Sequence, residues 1–125
     1  MSIRRQTQTI FASTARTATE VSPVLSAQEV IATTFVIDVT ATSATPSVVF
    51  TIEGKDPLSG AFWTILTDAA VTATGTTFLQ VGKDITAATN VAANQFLPDE
   101  YRVTATHADA DSITYSVSAI HMIEN

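Results

Sequence analysis

The chain has no cysteine among its 125 residues. Disulfides, zinc–thiolate centres and thiol catalysis are therefore excluded. Charge is scarce as well, at 14% of residues, and it is lopsided: six basic side chains against twelve acidic ones give a net charge of -6. An acidic domain repels phosphate backbones, so nucleic acid is not an expected partner. No apolar run approaches the roughly 18–20 residues of a membrane span. The opening Met1-Ser-Ile-Arg-Arg-Gln-Thr has basic residues but no apolar stretch after them, unlike a signal peptide. The expectation is a soluble protein made in a cytoplasm, with no membrane partner. Helical periodicity is missing too. Only Ser26-Ala-Gln-Glu29-Val30 offers a start, with Ser26 as cap and Glu29 three residues on, and it is long enough for one turn at most.

What the chain has in quantity is alternation. In Ser47–Thr67, Val48, Phe50 and Ile52 alternate with Val49, Thr51 and Glu53, which sends one set to each face of a strand. Asp56-Pro57 and Ser59-Gly60 supply turn chemistry, and Ala61–Leu66 returns as the second arm of a hairpin. Phe35, Ile37 and Val39 alternate in Thr34–Thr42. Thr77, Leu79 and Val81 do so in Val71–Gly82, a strand pair or one strand bent around Gly75. Tyr101, Val103 and Ala105, then Ile113, Tyr115, Val117 and Ala119, mark the last two strands. Ile85–Pro98 reads as a long loop with a possible strand at Thr89–Ala93. The expected fold is all-β: an antiparallel β-sandwich, Ig-like or jelly-roll-like, of about seven or eight strands. At this length one domain is expected, with its own core.

Residues 1–20 stand apart as polar and Thr-rich, and they hold Arg4, Arg5 and Arg16. A floppy terminus, a strand at a sheet edge and an arm that orders on a partner all fit this composition. The division adopted is an N-terminal arm over 1–20 and a β-sandwich domain over 21–125. Arg4, Arg5, Ile10, Phe11 and Arg16 are then the candidate partner-binding residues.

Chemistry is hard to place. His107-Ala-Asp109-Ala-Asp111 is the one cluster resembling a cation site, yet it falls well short of the six to eight oxygens calcium takes. A hairpin turn whose Asp side chains bond nearby amides explains it better. Asp56, Asp99 and Glu100 sit beside turns, with no enclosing cleft for the paired carboxylates of glycoside hydrolysis. His121 has no serine or acidic partner at a recognisable spacing. Phe62 and Trp63 suit a sugar-stacking platform, but one of the two is expected in the core, where a lone Trp is usually found. No catalytic, metal or cofactor-binding residues are assigned, and no enzyme activity is expected.

Two stretches carry a family resemblance: Thr45-Pro-Ser-Val-Val-Phe-Thr-Ile-Glu-Gly-Lys-Asp-Pro-Leu-Ser-Gly-Ala-Phe-Trp-Thr-Ile-Leu66 and Tyr101-Arg-Val-Thr-Ala-Thr-His-Ala-Asp-Ala-Asp-Ser-Ile-Thr-Tyr-Ser-Val117. With Ala73-Thr-Gly-Thr-Thr77 between them, they resemble small virion proteins of tailed bacteriophages. The resemblance implies a structural protein on the capsid surface of the virion that decorates or cements the shell. Its partners would be the major capsid protein or other virion proteins, and it would form a homo-oligomer, a trimer for instance, through its Thr/Ser faces. A tail or baseplate component and a carbohydrate-binding module are the alternatives.

Overall fold

The structure is a computed structural model that describes residues 2–124; Met1 and Asn125, the outermost residues of the expected arm and domain, lie outside them. It is all-β, with ten strands and no helix among the described residues: β1 (Ile3–Arg16), β2 (Glu20–Val21), β3 (Leu25–Ser26), β4 (Val30–Thr42), β5 (Val48–Lys55), β6 (Phe62–Thr67), β7 (Gly75–Gly82), β8 (Ala92–Asn94), β9 (Glu100–His107) and β10 (Ile113–Glu124). Seven are long. The other three, of two or three residues, account for the excess over the expected seven or eight, being too short to show any periodicity.

Two sheets face each other. The first runs β1-β10-β4-β7-β8, antiparallel except for the parallel β7/β8 pair; the second runs β2-β9-β5-β6, with β3 also on β9. The alternating residues meet between them as expected. Phe35, Ile37, Val39, Leu79, Val81, Tyr115 and Val117 come from the first sheet, and Val48, Phe50, Ile52, Tyr101, Val103 and Ala105 from the second, all buried. Edge-to-face aromatic contacts tie the layers, Phe35 on Tyr101 and Phe50 on Tyr115, with centroids 5.9 and 5.0 Å apart. That geometry suits ring quadrupoles and adds to area burial.

Three expectations need correction. Residues 1–20 are not an arm beside the domain. Ile3–Arg16 is the edge strand of the first sheet, paired along its length with β10. The cause is local: an extra residue at Ile10 breaks the register between Thr9↔Ser118 and Phe11↔Val117, a β-bulge that turns Ile10 and Phe11 inward together. Two large apolar groups then bury in the core instead of waiting for a partner. The helical turn at Ser26–Val30 is absent. Ser26 belongs to β3, and Glu29 sits at φ 63° in a tight turn that feeds β4. Trp63 is not in the core either. A register shift between Ile52 and Glu53 leaves it opposite Gly54, 42% exposed. A Cβ on Gly54 would meet the indole at 2.6 Å, so only glycine admits the ring there. Phe62 lies on the outer face, its ring 3.7 Å from the Arg102 guanidinium.

The hairpin loop is built as its residues suggest. Asp56 Oδ1 accepts the Leu58 and Ser59 amides, which holds its carboxyl below the usual range, and Gly60 takes φ 78°.

Candidate interaction surface

The five partner-binding candidates do not converge. Ile10 and Phe11 are buried in the core. Arg16 is buried as well. Its guanidinium lies over the rings of Tyr115 and Phe11, 4.5 and 5.2 Å from their centroids, and it donates to the carbonyls of Ala12, Thr14 and Tyr115 while pairing with Glu20. It is a fastening for β1. Only Arg4 and Arg5 remain exposed, and among the described residues neither forms an ion pair.

The His107–Asp111 segment is a turn. Asp109 Oδ1 accepts the Asp111 amide, and Asp111 Oδ2 accepts the Thr45 amide. His107 Nε2 lies 3.1 Å from the Tyr115 hydroxyl. Among the described residues no three His, Asp or Glu side chains group as metal ligands would.

His121 does have partners, supplied by three other strands. Its Nδ1 is 2.8 Å from Thr33 Oγ1 on β4, and its Nε2 is 3.0 Å from Gln8 Oε1 on β1 and 3.2 Å from the Tyr101 hydroxyl on β9. Tyr101 donates to the same Gln8 oxygen at 2.7 Å. One neutral tautomer satisfies the set, with Nε2–H donating to Gln8 and Nδ1 accepting from Thr33. Burial holds the imidazole below its ordinary value and pushes the Tyr101 phenol up. His121 and Gln8 line a polar cleft of about 350 Å³ between Arg4 and Gln6 on β1 and the Ser26–Val30 turn. Thr33, whose hydroxyl donates to His121, is buried and does not line the cleft.

The outer face of the first sheet is more telling. Strand registers stack it in rows: Phe78–Val36–Ser118–Thr9, then Gln80–Thr34–Ile120–Thr7, then Gly82–Ala32–Met122–Arg5. Ile120 and Met122 stand 38% and 41% exposed in these rows. A second register shift, between Met122 and Ile123, leaves Ile31 outward as an extra residue. Ile31 and Met122 line a hollow of about 430 Å³ with Phe96, itself 60% exposed. Phe96, Ile31, Met122 and Ile120 thus form one apolar strip, flanked by Thr7, Thr34 and Gln80 at one end and by Arg5, Lys83, Asp84 and Glu124 at the other. Reading the sequence missed it, although β10 carries the signal: Ala119-Ile-His-Met-Ile123 is apolar on both faces where the preceding residues are apolar on one. The exposed rings Trp63, Phe78 and Phe96 sit on separate elements.

No protein-family model matches the chain, and no curated protein matches it. Among solved structures it is similar to the structure of infectious bursal disease virus Gx strain, at 12% identity and a TM-score of 0.42. The match covers 97% of this chain and 32% of that one, so the chain spans about a third of the length of its structural neighbour. A likeness at this TM-score bears no weight for fold or function. Among the described residues no helix is long and apolar enough to cross a membrane.

Proposed function

We propose that this is a structural virion protein of a tailed bacteriophage, a capsid decoration or cement protein that binds the capsid lattice and catalyses nothing. The observation that carries the reading is the apolar strip Phe96–Ile31–Met122–Ile120 along the outer side of the first sheet. Contiguous apolar surface rimmed by polar and charged side chains suits contact with another protein surface better than water. The resemblance of Thr45–Leu66 and Tyr101–Val117 to small phage virion proteins supplies the particle. The contact with the shell runs through this face; Ile10, Phe11 and Arg16, spent inside the fold, take no part.

The test is to add the purified protein to phage heads and to tails stripped of it, beside an Ile120→Asp/Met122→Asp variant whose folding is checked by circular dichroism. Binding of the wild type to heads, with the variant's occupancy falling by about tenfold or more, is the expected result, since two apolar anchors are replaced by charges. Binding to tails alone would make it a tail or baseplate component. Full occupancy of heads by the variant would move the contact off this face.

A further inference from the structure

Every sheet has two edges, and exposed edges offer unpaired backbone groups to any passing strand. Three of the four edges here are short or interrupted. The outer side of β8 is taken by Ala88, which exchanges backbone hydrogen bonds with Ala92. β6 carries an unpaired extra residue, Ile65, whose carbonyl accepts from the Gln95 side chain. The edge beyond β9 is made of β2 and β3, two residues each. The fourth edge, β1, is closed over half its length. Register shifts interrupt it between Thr9 and Thr14, and Arg16 folds back onto the carbonyls of Ala12 and Thr14. Ile3–Thr9 is left: seven residues in unbroken register with β10, exposed apart from half-buried Gln8, and with no proline, bulge or capping side chain among the described residues.

We propose that Ile3–Thr9 pairs antiparallel with the same segment of a second copy, about a two-fold axis through Gln6. The window itself fixes this register. Extending the pairing past Thr9 would run into the bulges, so the segment matches itself as Ile3↔Thr9, Arg4↔Gln8, Arg5↔Thr7 and Gln6↔Gln6. No charge then lies directly opposite a like charge, and Arg5 faces the Thr7 hydroxyl, which accepts its hydrogen bond. An acidic extended segment from another protein fits less well, because Glu29 and Glu124 already flank this end: Glu29 lines the same cleft as Arg4, and Glu124 pairs with Ile3. With one long uninterrupted edge per copy the contact is isologous and closes at two, so copies join as pairs and not as the trimer expected from the Thr/Ser faces. The pairing follows from the strand edge alone and does not depend on the virion reading.

The absence of cysteine makes the test clean. Sedimentation velocity on the full chain should give a dimer that dissociates on dilution. Gln6→Cys should cross-link to itself with a short bis-maleimide, while Leu58→Cys at the exposed hairpin tip should not. Charge at Thr7 gives opposite signs. Thr7→Lys sets a lysine against the second copy's Arg5, and Thr7→Glu sets a carboxylate there, so dimer affinity should fall and rise respectively by roughly three- to tenfold. A chain that stays monomeric at the highest soluble concentration overturns the proposal. So does a dimer in which Gln6→Cys fails to cross-link or in which the two Thr7 variants shift affinity in the same direction.

Discussion

Immediately beyond β6, Asp68 turns back on Phe50: its amide donates to the Phe50 carbonyl and its Oδ1 accepts the Phe50 amide at 2.8 Å. One residue thereby adds a rung to the sheet, using a side chain where the backbone has run out. The cost is a buried carboxyl whose Oδ2 has no hydrogen-bond partner, and burial pushes its pKa up to about 6 against the bond from Phe50. The folded state therefore holds this proton better than the unfolded chain does. Its contribution to stability is fully present below about pH 4 and is lost as pH rises through about 6, amounting to about 3 kcal/mol. His121 works in the other sense. With its pKa lowered by burial, its contribution is present above about 6.5 and is lost on acidification. Asp68→Asn keeps the acceptor for Phe50 and removes the titration. Urea unfolding of both proteins from pH 4 to 7 should show the wild type losing stability relative to the variant across that range. Parallel curves would mean that Asp68 titrates as an exposed carboxyl.

Among the elements, β5, β9, β10 and the Thr34–Thr42 stretch of β4 were legible because each alternates against one buried face, whereas the start of β4 was hidden by the extra residue Ile31. Val48, Phe50 and Ile52 fell where alternation put them. β1 was not legible, for a reason visible at Ile10 and Phe11: a bulge places consecutive residues on one side, which cancels the signal that alternation provides. β2 and β3 are shorter than any period, and β8, Ala92–Asn94, only overlaps the end of the strand expected at Thr89–Ala93. His121 was beyond reach for another reason, since its partners Gln8, Thr33 and Tyr101 lie 113, 88 and 20 residues away in the chain. Of the partner-binding candidates, Arg4 and Arg5 stood out because charge is rare here, and they are exposed. The apolar strip was overlooked because an outward Ile or Met looks like a lapse in a pattern until its neighbours across the sheet are known. Phe11 is buried edge-on against Tyr115, 6.1 Å between centroids. Phe11→Ala should cost ~3–5 kcal/mol in the isolated protein, the range for large-to-small core changes. Thermal melts test this directly: an unpartnered arm residue would leave the midpoint unmoved, whereas a core residue lowers it by well over ten degrees in a domain this size.

For the whole molecule the question is whether residues 3–16 can be spared. β10 is twelve residues long and buries one face throughout, from Ile113 to Ile123, with β4 on one side and β1 on the other. Removing β1 would strip Ile10 and Phe11 from the core and lift Arg16 off Tyr115, whose phenol, pushed up to about 12 by burial, marks how dry that corner is. It would also unpair the whole outer side of β10, whose Ile120, Met122 and Ile123 make an apolar template for aggregation. Two lost aromatic-sized contacts at ~3 kcal/mol each already approach the ~5–15 kcal/mol that holds a typical domain together. A chain lacking residues 2–16 should therefore show no cooperative melt and should aggregate on expression, while Arg4→Ala/Arg5→Ala, which touches only exposed side chains, should melt like the wild type. If the truncated chain melted cooperatively with the far-ultraviolet spectrum of a sandwich, β1 would be an accessory strand and the core would close without it.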